Sequence, residues 1–271
     1  MGLQEDSGKD PELAAPVAPR RFGAFSYREF RLLWFGLIVS NTGSWMASLA
    51  QGWLVVELSP SPALAPFYLG LVGFVRSIPV VLLSGFAGTI ADRLDRRRIL
   101  IVSQMVLGLS GLALAVLSQF HVVKIWHVMV LAALSSGGSA FDAPTRQSMV
   151  PLLVRPRELM SAIGLNSAAF NGPAIIGPAI GGILVGTVGV AACFYLNALS
   201  YGAVLLALAL MTPKPPIAGK ERPGILEETL EGLRYVRNHV PILAIFVLSM
   251  LVALIARPYI QLLPAFVKGV M

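Results

Sequence analysis

The segment from Gly88 to Arg98, GTIADRLDRRR, joins two long apolar runs and carries four arginines, Arg93, Arg96, Arg97 and Arg98, with two aspartates, Asp92 and Asp95. A connection this short cannot reach far from the ends of the runs it joins. Arginines that flank apolar spans resist translocation, so the turn is expected on the cytosolic side of a membrane. Alternation then places every other loop. Of the 271 residues, 56% are hydrophobic and 13% are charged, against about 25% charged in soluble domains. A soluble core of this length could not hide so much apolar surface, whereas lipid covers it.

A helix rises about 1.5 Å per residue, so crossing hydrocarbon takes about 20 residues. The apolar runs predict spans near 32–57, 66–90, 99–119, 125–145, 160–186, 190–211 and 241–264. Pro60, Pro62 and Pro66 separate the first two, and Pro213, Pro215 and Pro216 end the sixth. The expected organisation is a cytosolic tail (1–30), a six-helix bundle (31–211), a cytosolic central loop (212–240) and the first span of an incomplete second bundle (241–271). Residues 1–19 lack the apolar core of a secretory signal and are expected to be disordered.

The 21 lysines and arginines divide sharply. Five precede the first span, four lie in the 88–98 turn, three follow the fourth span (Arg146, Arg155, Arg157) and five lie in the central loop. Only Lys124 and Lys268 fall on the opposite side, and Arg76 and Arg257 fall within spans. This asymmetry predicts a multi-pass protein of the cell membrane with a cytosolic N-terminus. The net charge of +7 would suggest nucleic acid in a soluble protein. Its alternation with apolar runs assigns it to topology instead, with the lipid bilayer as partner and no nucleic acid. In the central loop, Ile225, Leu226, Thr229, Leu230, Leu233, Val236 and Val240 fall near one helical face, with Glu227, Glu228 and Glu231 early and Arg234 and Arg237 late. That pattern reads as an amphipathic helix on the inner membrane surface, or as a solvated linker helix.

Chemistry is sparse. One cysteine, Cys193, excludes an intrachain disulfide framework. His121 and His127 have no cysteine or carboxylate at metal spacing, so no metal is assigned. No nucleophile triad and no GxxxxGK[ST] loop occurs, so neither an enzyme nor a cofactor is expected.

Several motifs resemble one known family. Gly88-x-x-x-Asp92-Arg93-x-x-Arg96-Arg97 matches the signature between the second and third helices of the major facilitator superfamily, departing at Asp95, where Gly is usual. Gly177-Pro178-x-x-Gly181-Gly182 matches the Gly-Pro signature of its exporters. SNTGSWMASLAQGWLV (40–55), FVRSIPVVLLSGFAGTIADRLDRRR (74–98), FDAPTRQSMVPLLV (141–154) and RPYIQLLPAF (257–266) resemble its transmembrane secretion effector branch, which includes the enterobactin exporter. The arginine that drug–proton antiporters of the superfamily carry in the fourth span has no counterpart near Ala133. The resemblance implies an all-α, multi-pass bundle with about seven of twelve spans, an apparent truncation whose C-terminal half is missing. A full-length form is expected to be a monomer.

The resemblance also implies roles. Gly88, Asp92, Arg93, Arg96 and Arg97, with Asp142 and Arg146, would form a latch stabilising one conformational state, Arg96 or Arg97 pairing with Asp142. The alternative is that the arginines only set topology. Gly88 would allow close helix approach, and Asp92 would cap a neighbouring helix. Asp142 and Arg146, four apart, could also pair with each other across Pro144. Gly172, Pro173, Gly177, Pro178, Gly181 and Gly182 would bend the fifth helix or pack it tightly. Arg76 lies about 15 Å inside its span, where a lone arginine costs roughly 2.5–3.5 kcal/mol on insertion scales. It should face a wet cavity or a partner, and Arg257 poses the same question. Two cations there would favour an anionic or phenolic small-molecule substrate. Asn41 and Gln51 are polar candidates for the cavity or for interhelical bonding. The expected function is proton-coupled export of siderophore-like or drug-like molecules by alternating access. The alternatives are a truncated, non-transporting membrane protein or interaction partner, and a nutrient uptake permease.

Overall fold

The computed structural model describes residues 22–212, 234–245, 247, 248 and 251. Among them there is no strand. A 3₁₀ turn (Gly23–Ser26) leads into α1 (Arg28–Leu58), then α2 (Ala65–Arg93), α3 (Arg96–Gln119), α4 (Ile125–Leu153), α5 (Leu159–Asn171), α6 (Pro173–Thr187) and α7 (Val190–Leu210). Gly172 keeps helical dihedrals (φ −57°, ψ −49°), so α5 and α6 follow one another as one interrupted span. Residues 234–238 and 240–245 are helical. The tail, the rest of the central loop and most of the expected seventh span, including Arg257, lie outside the described residues.

Among the described residues, four helical segments are long and apolar enough to cross a membrane by themselves: Pro62–Gly88, Arg96–Gln119, Pro156–Thr187 and Val190–Leu210. With 31 and 29 residues, α1 and α4 are long enough but interrupt their apolar stretches with polar residues. α1 packs against α5, α6 and α7, and α4 lies between α2 and α3. Helices enclosed in this way can carry polar residues that face the bundle rather than lipid.

α4 does not stop near 145 as expected but runs to Leu153 through Pro144 and Pro151. A proline deletes a single backbone hydrogen bond. Across the Pro144 turn the Thr145 hydroxyl donates to the Phe141 carbonyl at 2.7 Å, and Arg146 pairs with Asp142. These side chains tie the same turn together.

The interior is layered. One apolar cluster gathers Met46, Ala50 and Leu54 of α1 with Leu69 and Val72 of α2, Leu114 of α3, Val128 and Ala132 of α4, and Phe194 of α7. A second, at the end bearing the 88–98 turn, gathers Leu33 and Leu37, Leu100, Val150, Ala162, Ala169, Val204 and Leu208. Between them the same helices bury polar residues at matching depth: Ser40 on α1, Ser103 and Gln104 on α3, Ser136 and Asp142 on α4, and Asn197 and Ser200 on α7.

Glycines set the closest approaches. A Cβ at Gly177 would lie 2.6 Å from Trp45 Cβ and 2.8 Å from the Thr42 carbonyl oxygen, and one at Gly181 would lie 3.1 Å from the Met46 oxygen. Two glycines four residues apart thus let α6 press on the backbone of α1, the small-xxx-small arrangement of membrane helices. Near the basic end, the Trp34 indole donates to the Leu165 carbonyl at 2.8 Å and ties α1 to α5.

Candidate functional site

The polar layer opens into a cavity of about 130 Å³, lined by residues of α1, α2, α3, α4 and α7. α1 contributes Ser44, Ser48 and Gln51, and α4 contributes Ser135 and Ser139. Each set has helical spacing of three or four, so each presents one face. Ser110 comes from α3, and Asn197 and Tyr201 from α7. The Ser44 and Tyr201 hydroxyls are hydrogen-bonded at 3.0 Å, joining α1 to α7 in the cavity wall.

Arg76 lines this cavity. On α2 it shares a stripe with Leu69, Val72, Pro79 and Leu83, spaced three, four, three and four apart. Leu69 and Val72 are buried. A Cβ at Gly137 of α4 would lie 3.6 Å from Leu83 and 3.9 Å from Pro79. This stripe is therefore the face that α2 turns to α4, and the guanidinium points into the bundle. Among the described lining residues Arg76 is the charged one.

Gln51 also lines the cavity, and its buried Nε2 has no hydrogen-bond partner among the described residues. Asn41 lies apart and donates to the Ala169 carbonyl at 2.9 Å, linking α1 to α5. Of the candidates for a cavity, the structure brings Arg76 and Gln51 together and separates Asn41.

One helical turn towards the basic end lies a buried charge cluster. The Gln104 amide donates to Asp142 Oδ1 at 2.7 Å, Arg146 pairs with Asp142 Oδ2, and the Arg146 guanidinium lies 4.8 Å from the centroid of the Phe170 ring. α3 and α5 thus meet α4 around one ion pair. The expected pairing of Asp142 with Arg96 or Arg97 gives way to this arrangement. Arg146 reaches the carboxylate from one turn along its own helix, whereas Arg97 lies seven residues before Gln104, about 10 Å of helix away. Arg97 instead donates to the Ala209 carbonyl at 3.2 Å, tying the turn to the end of α7.

Within the turn, Asp95 caps α3, its carboxylate accepting the Arg97 N–H at 2.9 Å. Arg98 lies 3.7 Å from the same carboxylate. Asp92 and Arg93 occupy the last turn of α2, and their side chains lie outside those described. Arg96 is the first residue of α3. A Cβ at Gly88 would meet nothing within 4 Å among the described residues, so the close approach expected there is not seen. The close approach of α3 to α4 occurs at Gly138, where a Cβ would lie 3.4 Å from the Ser103 oxygen.

In the Gly-Pro segment, Gly172 and Pro173 mark the junction of α5 and α6, and Pro178 lies inside α6. Gly177 and Gly181 face α1, while Gly182 faces open space. His127 Nδ1 accepts the Lys124 N–H at 3.0 Å and caps α4. Among the described residues no three His, Cys, Asp or Glu side chains gather to hold a metal.

Gln104 and the lining serines of α3 and α4 lie outside the motifs, and sequence reasoning passed over them. The signal that could have found them is periodic. Ser135, Ser139, Asp142 and Arg146 repeat at four, three and four, a polar stripe on an otherwise apolar helix.

The family model described as "Transmembrane secretion effector" matches residues 18–271. The chain is 30% identical over 233 residues to the Staphyloferrin A transporter of Staphylococcus aureus (strain NCTC 8325 / PS 47), covering 84% of this chain and 56% of that protein. It is 24% identical over 240 residues to Macrolide efflux protein A of Streptococcus pyogenes, covering 87% and 58%. It is 28% identical over 215 residues to the Multidrug efflux pump Tap of Mycolicibacterium fortuitum, covering 76% and 51%. The chain therefore spans little more than half the length of these curated relatives. No solved structure matches it significantly.

Proposed function

Because the chain belongs to the transmembrane secretion effector family, a branch of the major facilitator superfamily, we propose that it is the N-terminal bundle of a secondary transporter that exports small organic molecules across the cell membrane. The observation that carries this reading is the partly open cavity beside the polar layer, lined by residues of five helices, with the first apolar cluster supplying part of its wall and the second lying towards the basic end. Such a cavity is one wall of a midplane site, and a second bundle supplies the facing wall. The names of two of these relatives, Macrolide efflux protein A and Multidrug efflux pump Tap, support export over nutrient uptake.

In this reading the N-terminus and the 88–98 turn are cytosolic, following the distribution of lysine and arginine. The bundle rocks against its counterpart between two states. The turn, fastened to α7 through Arg97 and Ala209, favours one of them together with the cluster at Asp142. The interrupted α5–α6 span supplies the bend. The driving force is a proton gradient.

The test is efflux from membrane vesicles carrying the complete gene product, with a panel of siderophores and drugs, with and without a proton gradient. At least one panel member moves outward, and an uncoupler abolishes the movement. If no member moves, the reading fails in favour of a non-transporting membrane protein. If movement persists without the gradient, proton coupling fails alone.

A further inference from the structure

We propose that Asn41 is the clasp of a hinge in the interrupted α5–α6 span. Its side-chain amide stands in for the peptide N–H that Pro173 lacks, and its release loosens α5 from α1 while α6 stays packed. The bend of this span belongs to the transport reading above, on which the proposal rests for its role. What it adds is the positioning residue that sets the bend.

A helical carbonyl normally accepts the N–H of the residue four positions on. For Ala169 that residue is Pro173, which has no N–H to give. Gly172 keeps helical dihedrals across the junction, and its own N–H serves the Ala168 carbonyl at 2.9 Å. The ladder is thus intact up to Ala168 and loses its regular donor at Ala169. Ala169 is fully buried, and a buried carbonyl left unpaired is costly. The Asn41 Nδ2 donates to this oxygen at 2.9 Å. A side chain of α1 therefore supplies the bond that Pro173 deletes.

The two halves of the span are held to α1 by different means. α6 presses backbone on backbone: a Cβ at Gly177 would lie 2.8 Å from the Thr42 carbonyl oxygen, and one at Gly181 would lie 3.1 Å from the Met46 oxygen. Of its 13 residues, α5 buries Ala162 and Ala169, and hydrogen bonds from Trp34 and Asn41 tie it to α1. Trp34 lies seven residues before Asn41, about 10 Å of helix nearer the basic end, so Asn41 is the tie beside the junction. Along α1, Asn41 immediately precedes Thr42, which Gly177 of α6 faces. It marks the point where α5 gives way to α6.

The next residue of α5, Phe170, has its ring centroid 4.8 Å from the Arg146 guanidinium. The bend that Asn41 sets therefore also holds this ring against the buried ion pair of α4. A loosened α5 carries the ring away from it.

Amide hydrogen exchange, read by mass spectrometry on the complete gene product in lipid nanodiscs, tests the clasp. Asn41→Leu keeps the bulk of the side chain and removes the donor. Amides of α5 then exchange about tenfold faster, while those of α6 exchange as in the unaltered protein. Pro173→Ala returns a peptide N–H to the Ala169 carbonyl, and on that background Asn41→Leu has little further effect. A bond that only added general stability would speed every helix alike and would not depend on residue 173. The assignment is overturned if Asn41→Leu leaves α5 unchanged, if α6 opens as much as α5, or if Pro173→Ala gives no protection. Should Asn41→Leu fail to fold, the double variant decides. It folds with α5 protected as in Pro173→Ala alone if the clasp is right, and failure of the double variant overturns it. The outcome is separable from the transport reading. Opening confined to α5, with no efflux of any panel member, sinks export and leaves the clasp. Efflux without any change in α5 does the reverse.

Discussion

The Gln104 amide donates to the Asp142 carboxylate at 2.7 Å, and this bond joins α3 to α4 in the buried middle of the bundle. The same carboxylate holds Arg146 on its other oxygen, so one acidic group balances a buried cation and bridges two helices.

Removing the acid should therefore cost more than removing the pair. Asp142→Asn leaves the Arg146 charge buried without its counterion, which destabilises by about 3–5 kcal/mol. Asp142→Asn combined with Arg146→Met removes both charges and recovers most of that loss. Thermal unfolding of the three proteins in one detergent measures the difference. Equal losses in the single and double variants would show that the ion pair is not what the site depends on.

The two faces of the Gly-Pro segment should respond in opposite ways. Gly177→Ala forces a Cβ against Trp45 and the Thr42 carbonyl, and overpacking of this kind costs about 1–3 kcal/mol. Gly182→Ala meets nothing within 4 Å among the described residues. It gains helix propensity and is neutral or slightly stabilising. Unfolding midpoints of the two variants that coincide would contradict the packing of α6 on α1.

Asp95 stands where glycine is usual in the superfamily, and its carboxylate caps α3. Asp95→Ala should cost about 1 kcal/mol, Asp95→Gly only a few tenths, and Asp95→Asn little. The contact with Arg98, whose side chain is 87% exposed, adds little. A chemical denaturation series over these three variants gives the ranking.

Sidedness can be tested without knowing the substrate. Cys193 is buried, and it is the one cysteine of the chain, so Arg98→Cys adds a single accessible thiol. A membrane-impermeant maleimide should label it in inside-out vesicles and not in intact cells. Labelling from outside intact cells would invert the assigned topology.

The existence of the first six spans and most of their boundaries were legible because apolar runs bounded by arginine and proline leave a spanning segment few choices. The extension of α4 beyond Pro144 was not. Whether a proline ends a helix depends on what else holds the turn, here Thr145 and Arg146 bonding back one turn. Arg76 was legible as a charge that must face inward, since lipid cannot solvate it. Its neighbours were not, because a serine in an apolar run reads equally as small packing or as polar lining. The partner of Asp142 was open between a residue across the turn and one along the helix. Distance decided it, and distance between helices is not written in any one of them.

α2 is fastened to the bundle chiefly along α4, with far slighter contact to α1 and α3. Its opposite flank, with Phe74, Val81 and Leu82, stays exposed. Arg76 is thus mounted on a rod that leans on one neighbour. A tilt of α4 would therefore be passed to α2 and would change how far the guanidinium reaches into the cavity. The helix that holds the buried carboxylate would then also act as the lever that sets how far the guanidinium reaches.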